Sequence, residues 1–214
     1  MQILETILSP IIWLMDLMLN FYIHLTSSIG ASILLLSFSF ALLLLPLQKK
    51  ANQAEKIISD KINKVNDEVN LLPKEFKGEK LFLETEKIYK KFNYHPIHNI
   101  GLGASFLAML PVLISAILLF SGNEMLAGKS FLIIGDLSKP DGFYGAINIL
   151  PIIMTGITFI DAKLRFSDDQ KSKNRFYFIS LVLLLIVYNL PSGLVLYWLG
   201  SNLMALILNR IKSA

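Results

Sequence analysis

The chain has 214 residues, of which 54% are hydrophobic and 17% charged, and it contains no cysteine. Because soluble domains carry about 25% charged residues, this composition argues against a water-soluble single-core enzyme and against a disordered chain. The missing cysteine excludes a disulfide scaffold, a thiolate metal site and a cysteine nucleophile. The net charge of +4 does not indicate nucleic-acid binding, because the lysines cluster between hydrophobic blocks.

Residues 1–27 predict a helix with one polar stripe on an otherwise apolar surface. Placing Asp16 at the centre of a bilayer is costly, and Trp13 suits the headgroup region. We therefore expect an amphipathic helix in the outer membrane interface, with a sixth span as the alternative. The stripe consists of Glu5, Ser9, Asp16, Asn20 and His24.

Five further apolar segments predict transmembrane helices and therefore an all-α, polytopic membrane protein. The first contains an uncharged run of about 20 residues, which as a helix crosses roughly 30 Å of hydrocarbon. The fourth is short, and a short span thins the bilayer around it. The predicted spans are 28–48, 99–121, 144–162, 176–190 and 191–209.

Lysine and arginine predict the orientation of these spans. The segments 49–98, 163–175 and 210–214 hold 18 of the 20 basic residues, and five crossings place all three on one side. We therefore expect a cytoplasmic C-terminus, an outer loop at 122–143 and an N-terminus outside. Since no presequence or signal-peptide n-region precedes the first span, we expect the bacterial inner (plasma) membrane.

Residues 49–98 form the one sizeable polar segment and predict a cytoplasmic helical hairpin. Apolar residues from Ile58 to Leu72 are spaced 4, 3, 4, 3, and a second helical stripe runs from Leu81 to Phe92. Pro73 and Gly78 lie between the stripes and break the helix. The spacing favours an antiparallel pair of coiled-coil type.

No arrangement of side chains indicates catalysis, a metal or a cofactor, so we predict that the chain is not an enzyme and needs none of these. The remaining polarity is uncharged and lies within the spans. Each such residue alone suits helix packing, whereas together they suit a hydrated groove, and composition does not choose between these readings. They are Ser37, Ser39, Ser105, Ser115, Thr155, Thr158, Tyr197, Ser201 and Asn202.

Four motifs make the chain resemble the YidC/Oxa/Alb membrane insertase family. The most specific is Pro191-Ser192-Gly193-Leu194-Val195-Leu196-Tyr197-Trp198 with Ser201-Asn202-Leu203, which resembles the family's last-span signature. The supporting stretches are Asp136-Leu137-Ser138 with Asp141, Tyr144 and Ile149-Leu150-Pro151-Ile152, then Leu43-Leu44-Leu45-Pro46-Leu47, and Pro96 with Met109-Leu110-Pro111-Val112-Leu113.

The resemblance implies an insertase and membrane chaperone that uses no nucleotide. Five helices would surround a groove that is open to the cytoplasm and lipid but closed outside, and the hairpin would receive clients. The implied partners are nascent membrane-protein clients and the lipid bilayer, with the Sec translocon, the signal-recognition-particle receptor and the ribosome as further candidates. No nucleic-acid partner is expected.

The resemblance implies that Tyr197, Ser201 and Asn202 line the groove and bind clients, and the polar residues of the spans add Ser37, Ser39 and Ser105. Ala41 is a further groove-lining candidate, at a position where the family usually has an arginine, which would attract acidic client tails. This departure leaves open a non-inserting assembly or scaffold subunit on the same fold, and a small-solute transporter is a further alternative.

Overall fold

The computed structural model describes residues 2–95, 104–121, 124–143, 147–166 and 170–213. These residues form helices and loops, with one isolated bridge between Phe131 and Ile134 and no strand, which confirms the all-α prediction. The helices are α1 Gln2–Thr26, α2 Ile29–Leu43, α3 Leu45–Asn70, α4 Gly78–Lys91, α5 Ala104–Phe120, α6 Ile149–Arg165, α7 Gln170–Val187 and α8 Ser192–Ser213, with a 3₁₀ turn at Glu124–Leu126.

The described helices differ in whether they are long and apolar enough to cross a membrane. Within the described part of the chain, Glu5–Thr26 is the one helix long and apolar enough to cross a bilayer. A second qualifies if Ile29–Leu43 and Leu45–Ala51, interrupted at Leu44, count as one span. The apolar parts of α5 and α8, Ala108–Phe120 and Ser192–Leu208, are shorter. The number of spans therefore stays a prediction.

The chain divides into two compact units, and the larger comprises residues 1–44 and 111–214. In this unit α8 packs against both α2 and α6, α6 packs against α7, and α1 packs against α2. Its apolar core takes side chains from every one of these helices and from α5. Fully buried members include Met15, Leu19, Ile33, Leu36, Phe120, Val187, Leu194 and Val195.

Helices α2 and α8 run in the same direction. At the start of α8, a Cβ on Gly193 would lie 3.5 Å from Ile33 Cδ1. Further along, Gly200 approaches Ser37. The contact thus moves from Gly193 to Gly200 along α8 while it moves from Ile33 to Ser37 along α2. Because both move forward together, the two helices begin at the same end of the unit.

Helix α1 turns back along α2. Ser27, with φ +54°, reverses the chain between them. The Thr26 and Ser32 hydroxyls then form a hydrogen bond of 2.9 Å, and Tyr22 OH bonds Ser39 Oγ at 2.5 Å. Since the contact moves backward on α1 as it moves forward on α2, the two helices are antiparallel.

The second unit, residues 45–110, contains α3 and α4 packed against each other. The helices end at Asn70 and begin again at Gly78, around the predicted Pro73–Gly78 break. Lys91 Nζ bonds Glu68 Oε1 at 2.7 Å, and Val65 is fully buried. No described residue of α4 is buried, so its predicted apolar stripe remains partly accessible.

Candidate functional site

The residues of α8 are buried at its start and partly exposed further along the helix. Residues 192–197 are all buried, whereas residues 201–206 are all partly exposed. Six consecutive residues cover more than one helical turn, so every side of that stretch is incompletely packed. The larger unit therefore has a tight end where α8 begins and a looser region beyond Gly200.

Tyr197 lies at the tight end, inside the core. Its side chain is buried, and its ring centroid lies 5.8 Å from that of Phe120 on α5. The predicted groove residue thus packs between α8 and α5 rather than on an open surface.

Ser37 lies at the close approach of α2 and α8. It is fully buried, and its Oγ donates to the Leu34 carbonyl at 2.7 Å. Ala41 is also buried and lies one turn further on the same face of α2. This face of α2 meets α8. The methyl side chain of Ala41 therefore lies where the resemblance led us to expect an arginine.

Ser39 does not join the other candidates. Its hydroxyl bonds Tyr22 of α1, and it lies two residues from Ser37, on a different face of α2. Ser105 lies in α5, but its side chain is outside the described residues. Of the two serines on α2, Ser37 meets α8 and Ser39 meets α1.

Ser201 and Asn202 lie where α8 becomes accessible, together with Thr158 of α6. Asn202 Nδ2 donates to Thr158 Oγ1 at 3.0 Å and joins the two helices. We call these three half-buried residues the polar patch. From the sequence we identified Thr158 as a polar residue within a span but did not assign it to the groove.

The hydroxyls of the polar patch are satisfied within their own helices. Thr158 Oγ1 donates to the Met154 carbonyl at 3.0 Å, and Ser201 Oγ donates to the Tyr197 carbonyl at 3.1 Å. Since each hydroxyl has one hydrogen and two lone pairs, the patch retains acceptor capacity once these bonds form. It therefore suits a donor such as a peptide N–H or a water molecule.

The loop between α5 and α6, described over residues 124–143, fastens the start of α8. Gly193 N donates to the Leu137 carbonyl at 2.8 Å, and Ser192 N donates to the Lys139 carbonyl at 2.8 Å. These bonds satisfy amides at a helix start, which have no partner within the helix. Side chains at Leu126 and Leu137 are fully buried beneath the loop.

Asp136 stabilises the conformation of this loop by accepting hydrogen bonds within it. Its Oδ1 accepts from Ser138 Oγ at 2.7 Å, from Ser138 N at 2.9 Å and from Gly128 N at 3.2 Å. The Ser138 side-chain bond, then its backbone bond, lower the pKa of Asp136 from 3.8 to about 2. The carboxylate is therefore ionised at neutral pH and orders the loop.

The α5–α6 loop also fixes α6 and α7. Asp141 Oδ2 accepts from the backbone N–H of Ile149 and Leu150, at 2.6 and 3.1 Å, and so caps the start of α6. Asn148 Nδ2 donates to the Tyr188 carbonyl at 2.8 Å, which ties α6 to the end of α7. One end of the unit is thus closed by hydrogen bonds among polar side chains and backbone.

The charged pair of α6 follows the polar patch within one turn, since Asp161 lies three residues after Thr158. Asp161 and Arg165 form an ion pair of 2.9 Å in the last turns of α6. No group of three or more metal-ligating side chains occurs among the residues that the structure describes. The three residues of the polar patch are themselves uncharged, and they offer hydrogen bonds.

Sequence reasoning missed the residues that bring the helices together. Gly193 and Gly200 lie seven residues apart on one side of α8, and both face α2. Small residues are enriched where helices pack closely in membranes, so the two glycines were a usable signal. Asp141 and Asn148 gave no such signal, because their partners lie on separate elements.

Comparison with known proteins identifies relatives along nearly the whole chain. Residues 21–213 match the family model described as 60Kd inner membrane protein. A membrane protein insertase YidC of Fusobacterium nucleatum is 30% identical over 83% of this chain and 82% of the relative. A YidC insertase of Treponema denticola is 27% identical over 94% of this chain but only 37% of the relative.

A solved structure shares the fold. It is entitled "Active YidC insertase crystal structure with the first transmembrane domain resolved" and matches with a TM-score of 0.57 at 19% identity. The match covers 95% of this chain and 45% of the other. The chain therefore spans most of one curated relative and less than half of longer ones.

Proposed function

Because the chain belongs to the 60Kd inner membrane protein family, which includes curated YidC insertases, we propose that it inserts client proteins into the inner membrane. The observation that carries this proposal is the change along α8 from a closed, hydrogen-bonded end to a partly accessible polar patch. A groove of this kind receives a polar tail from one side only.

The physical basis is a lower desolvation cost. Transferring an unpaired amide or hydroxyl into hydrocarbon costs roughly 2–7 kcal/mol. The lone pairs of the polar patch, and water reaching them, offer a client's N–H groups an alternative to bare lipid. Burial of the client's apolar segment, at about 25 cal/mol per Å², then drives release into the bilayer.

The distribution of basic residues supports the topology that we propose. Helices α2, α5, α6, α7 and α8 cross the membrane, and the α5–α6 loop lies outside with Lys129 and Lys139. The segments that hold the other 18 basic residues lie in the cytoplasm. The accessible half of α8 then faces the cytoplasmic side, from which nascent clients arrive.

The unit formed by α3 and α4 is the proposed receiving surface for clients. A cleft of about 750 Å³ runs along α4, lined among others by Leu81, Phe82 and Tyr89. Leu81 and Phe82 are exposed, although both are large and apolar. An exposed apolar patch rimmed by charged residues suits weak binding of hydrophobic segments.

Ala41 favours a second candidate, a non-inserting assembly or scaffold subunit. Its buried methyl group provides no charge to attract an acidic tail, so electrostatic capture by an arginine on α2 is unavailable here. On this reading the interhelical contacts maintain a scaffold, and the polar patch serves only to join α6 to α8.

Site-specific photocrosslinking separates the two candidates. A photoreactive amino acid at Ser201 should crosslink to a ribosome-bound single-span client in inner-membrane vesicles. The matched control is position 185 on α7, where Leu185 is strongly exposed on the apolar surface. Crosslinks at 201 well above those at 185 are expected, whereas equal or absent crosslinks at 201 would favour the scaffold.

A further inference from the structure

The α5–α6 loop contains a tight turn at residues 131–134, all four of which are apolar. Phe131 and Ile134 exchange two backbone hydrogen bonds of 2.9 Å, so Leu132 and Ile133 form the end of the turn. Leu132 has φ +52°, a left-handed conformation in which Gly, Asn or Asp is usual at such turns. Two large apolar side chains therefore stand where short turns normally carry small or polar residues. We call Leu132 and Ile133 the loop tip.

The base of this turn is packed, whereas the loop tip is exposed. Ile134 is buried in the core of the larger unit, and the Phe131 ring lies against the backbone of Gly30, where a Cβ would overlap it. Leu132 is 87% exposed and Ile133 55%. No large apolar side chain among the described residues is more exposed than that of Leu132. The turn is thus fixed at its base and presents its apolar end outward.

The contact with Gly30 places the turn near the boundary of the bilayer. Gly30 is the second residue of α2, which begins at Ile29, and the proposed first span begins at residue 28. The base of the turn therefore lies beside the first turn of α2, where that span enters the hydrocarbon. Phe143 and Ile147, at the other end of the loop, are also exposed shortly before the start of α6. Apolar side chains thus project at both ends of the loop, close to helix starts.

We propose that the loop tip inserts into the lipid leaflet at the closed end of the bundle, with both side chains among acyl chains close to the headgroups. The proposal rests on the proposed crossing of α2, and the proposed topology makes this the outer leaflet. Burial of apolar surface favours the insertion, and the paired backbone groups of Phe131 and Ile134 need no water. The loop that fastens the start of α8 is then held at a fixed depth.

The small size of the loop tip favours lipid over a second protein as its partner. Each partner in a standard protein–protein interface buries roughly 800 Å², which two side chains do not supply. Acyl chains require no complementary surface. Lys129 lies two residues before the turn and is exposed, so its ammonium group can reach headgroup phosphates while the loop tip contacts the acyl chains.

Fluorescence quenching tests the proposal, because the chain has no native cysteine. Leu132→Cys is labelled with an environment-sensitive fluorophore and reconstituted into liposomes of phosphatidylcholine and phosphatidylglycerol, with or without lipids brominated on their acyl chains. Since an inserted side chain contacts acyl chains, brominated lipid should reduce the emission at position 132 about twofold or more. Lys139→Cys is the matched control in the same loop, because the lysine side chain is 75% exposed and charged, and its label should be quenched little.

Leu185→Cys, on the exposed apolar surface of α7, reports on the bundle itself. Quenching at position 185 with none at 132 would overturn the loop-tip proposal and leave the proposed spans intact. A blue-shifted but unquenched label at 132 would show that a second copy of the protein covers the loop tip, which also overturns it. Without quenching at either position, the proposed spans fail and the loop-tip proposal falls with them. None of these readings depends on insertion activity.

Leu132→Asn separates anchoring from folding. Asparagine tolerates the left-handed conformation, and Leu132 is almost fully exposed, so the thermal midpoint in detergent should not fall. In liposomes the same substitution should reduce the quenching of a label on Ile133→Cys about twofold, because burial of the leucine no longer holds the turn in lipid. Unchanged quenching at position 133, or a lower midpoint in detergent, would contradict an anchoring role for Leu132.

Discussion

Ser37 Oγ occupies the space in which a Cβ of residue 200 would lie, so α2 and α8 approach each other at a glycine. The hydroxyl donates to Leu34 of its own helix and needs no partner on α8. Close backbone approach, rather than an interhelical hydrogen bond, therefore holds this pair together. Dispersion contacts of this kind are one of the forces that drive helix association in membranes.

Gly200→Ala should consequently destabilise the bundle. The added methyl group overlaps Ser37, and overpacking of this kind costs about 1–3 kcal/mol. A fall in the thermal midpoint in detergent would show the loss. Gly156→Ala on α6 is the matched control, because its new Cβ meets no atom within 4 Å. Adding Ser37→Ala should restore part of the stability, and independent effects of the two changes would contradict the contact.

Removing the bond between Asn202 and Thr158 should affect insertion more than stability. Hydrogen bonds between membrane helices average about 0.6 kcal/mol, so Thr158→Val should change the thermal midpoint little. The same substitution removes acceptor capacity from the polar patch, and we expect a several-fold lower insertion yield. Ser180→Ala, which removes a buried hydroxyl on α7, is the control for loss of a hydroxyl elsewhere. Equal yields for the two variants would argue against a role for the patch.

Hydrophobic patterning predicted most of the helices but not their ends. The predicted span 176–190 corresponds to α7, which begins six residues earlier at Gln170 and includes Lys173 and Arg175. A helix does not end where hydrocarbon ends, so an apolar run locates the span and not the whole helix. Conversely, the predicted span 28–48 contains a helix end at Leu43. Pro46 follows three residues later and lacks the N–H that would bond the Leu42 carbonyl in a continuous helix.

The site, like the helix ends, could be predicted only in part from the sequence. Residue type identified Ser201, Asn202 and Thr158 as polar residues within spans, but their association depends on how α6 and α8 pack. The two serines on α2 show most clearly what residue type alone could not predict. Ser37 meets α8 and Ser39 meets α1, a difference that depends on the positions of neighbouring helices.

The closed end of the bundle should loosen in acid. The pKa of Asp136 is lowered to about 2 from 3.8, so its stabilising effect is complete above pH 3.8 and is lost as the pH falls towards 2. Thermal midpoints measured between pH 5 and 2 should fall in the wild type and fall less in Asp136→Asn. Lys139→Gln removes a largely exposed partner and should retain the wild-type slope. An unchanged slope in Asp136→Asn would contradict the assignment.

Insertion by the purified protein tests the central proposal most directly. The chain is reconstituted into liposomes, and protease protection of a single-span client with a short acidic tail is followed, with Ala41→Arg and empty liposomes in parallel. We predict protection by the wild-type protein, because accessible polar groups rather than an arginine receive the tail. Protection by Ala41→Arg alone would show that this groove needs a charge for such clients. No protection by either protein would contradict the insertase proposal and favour the scaffold.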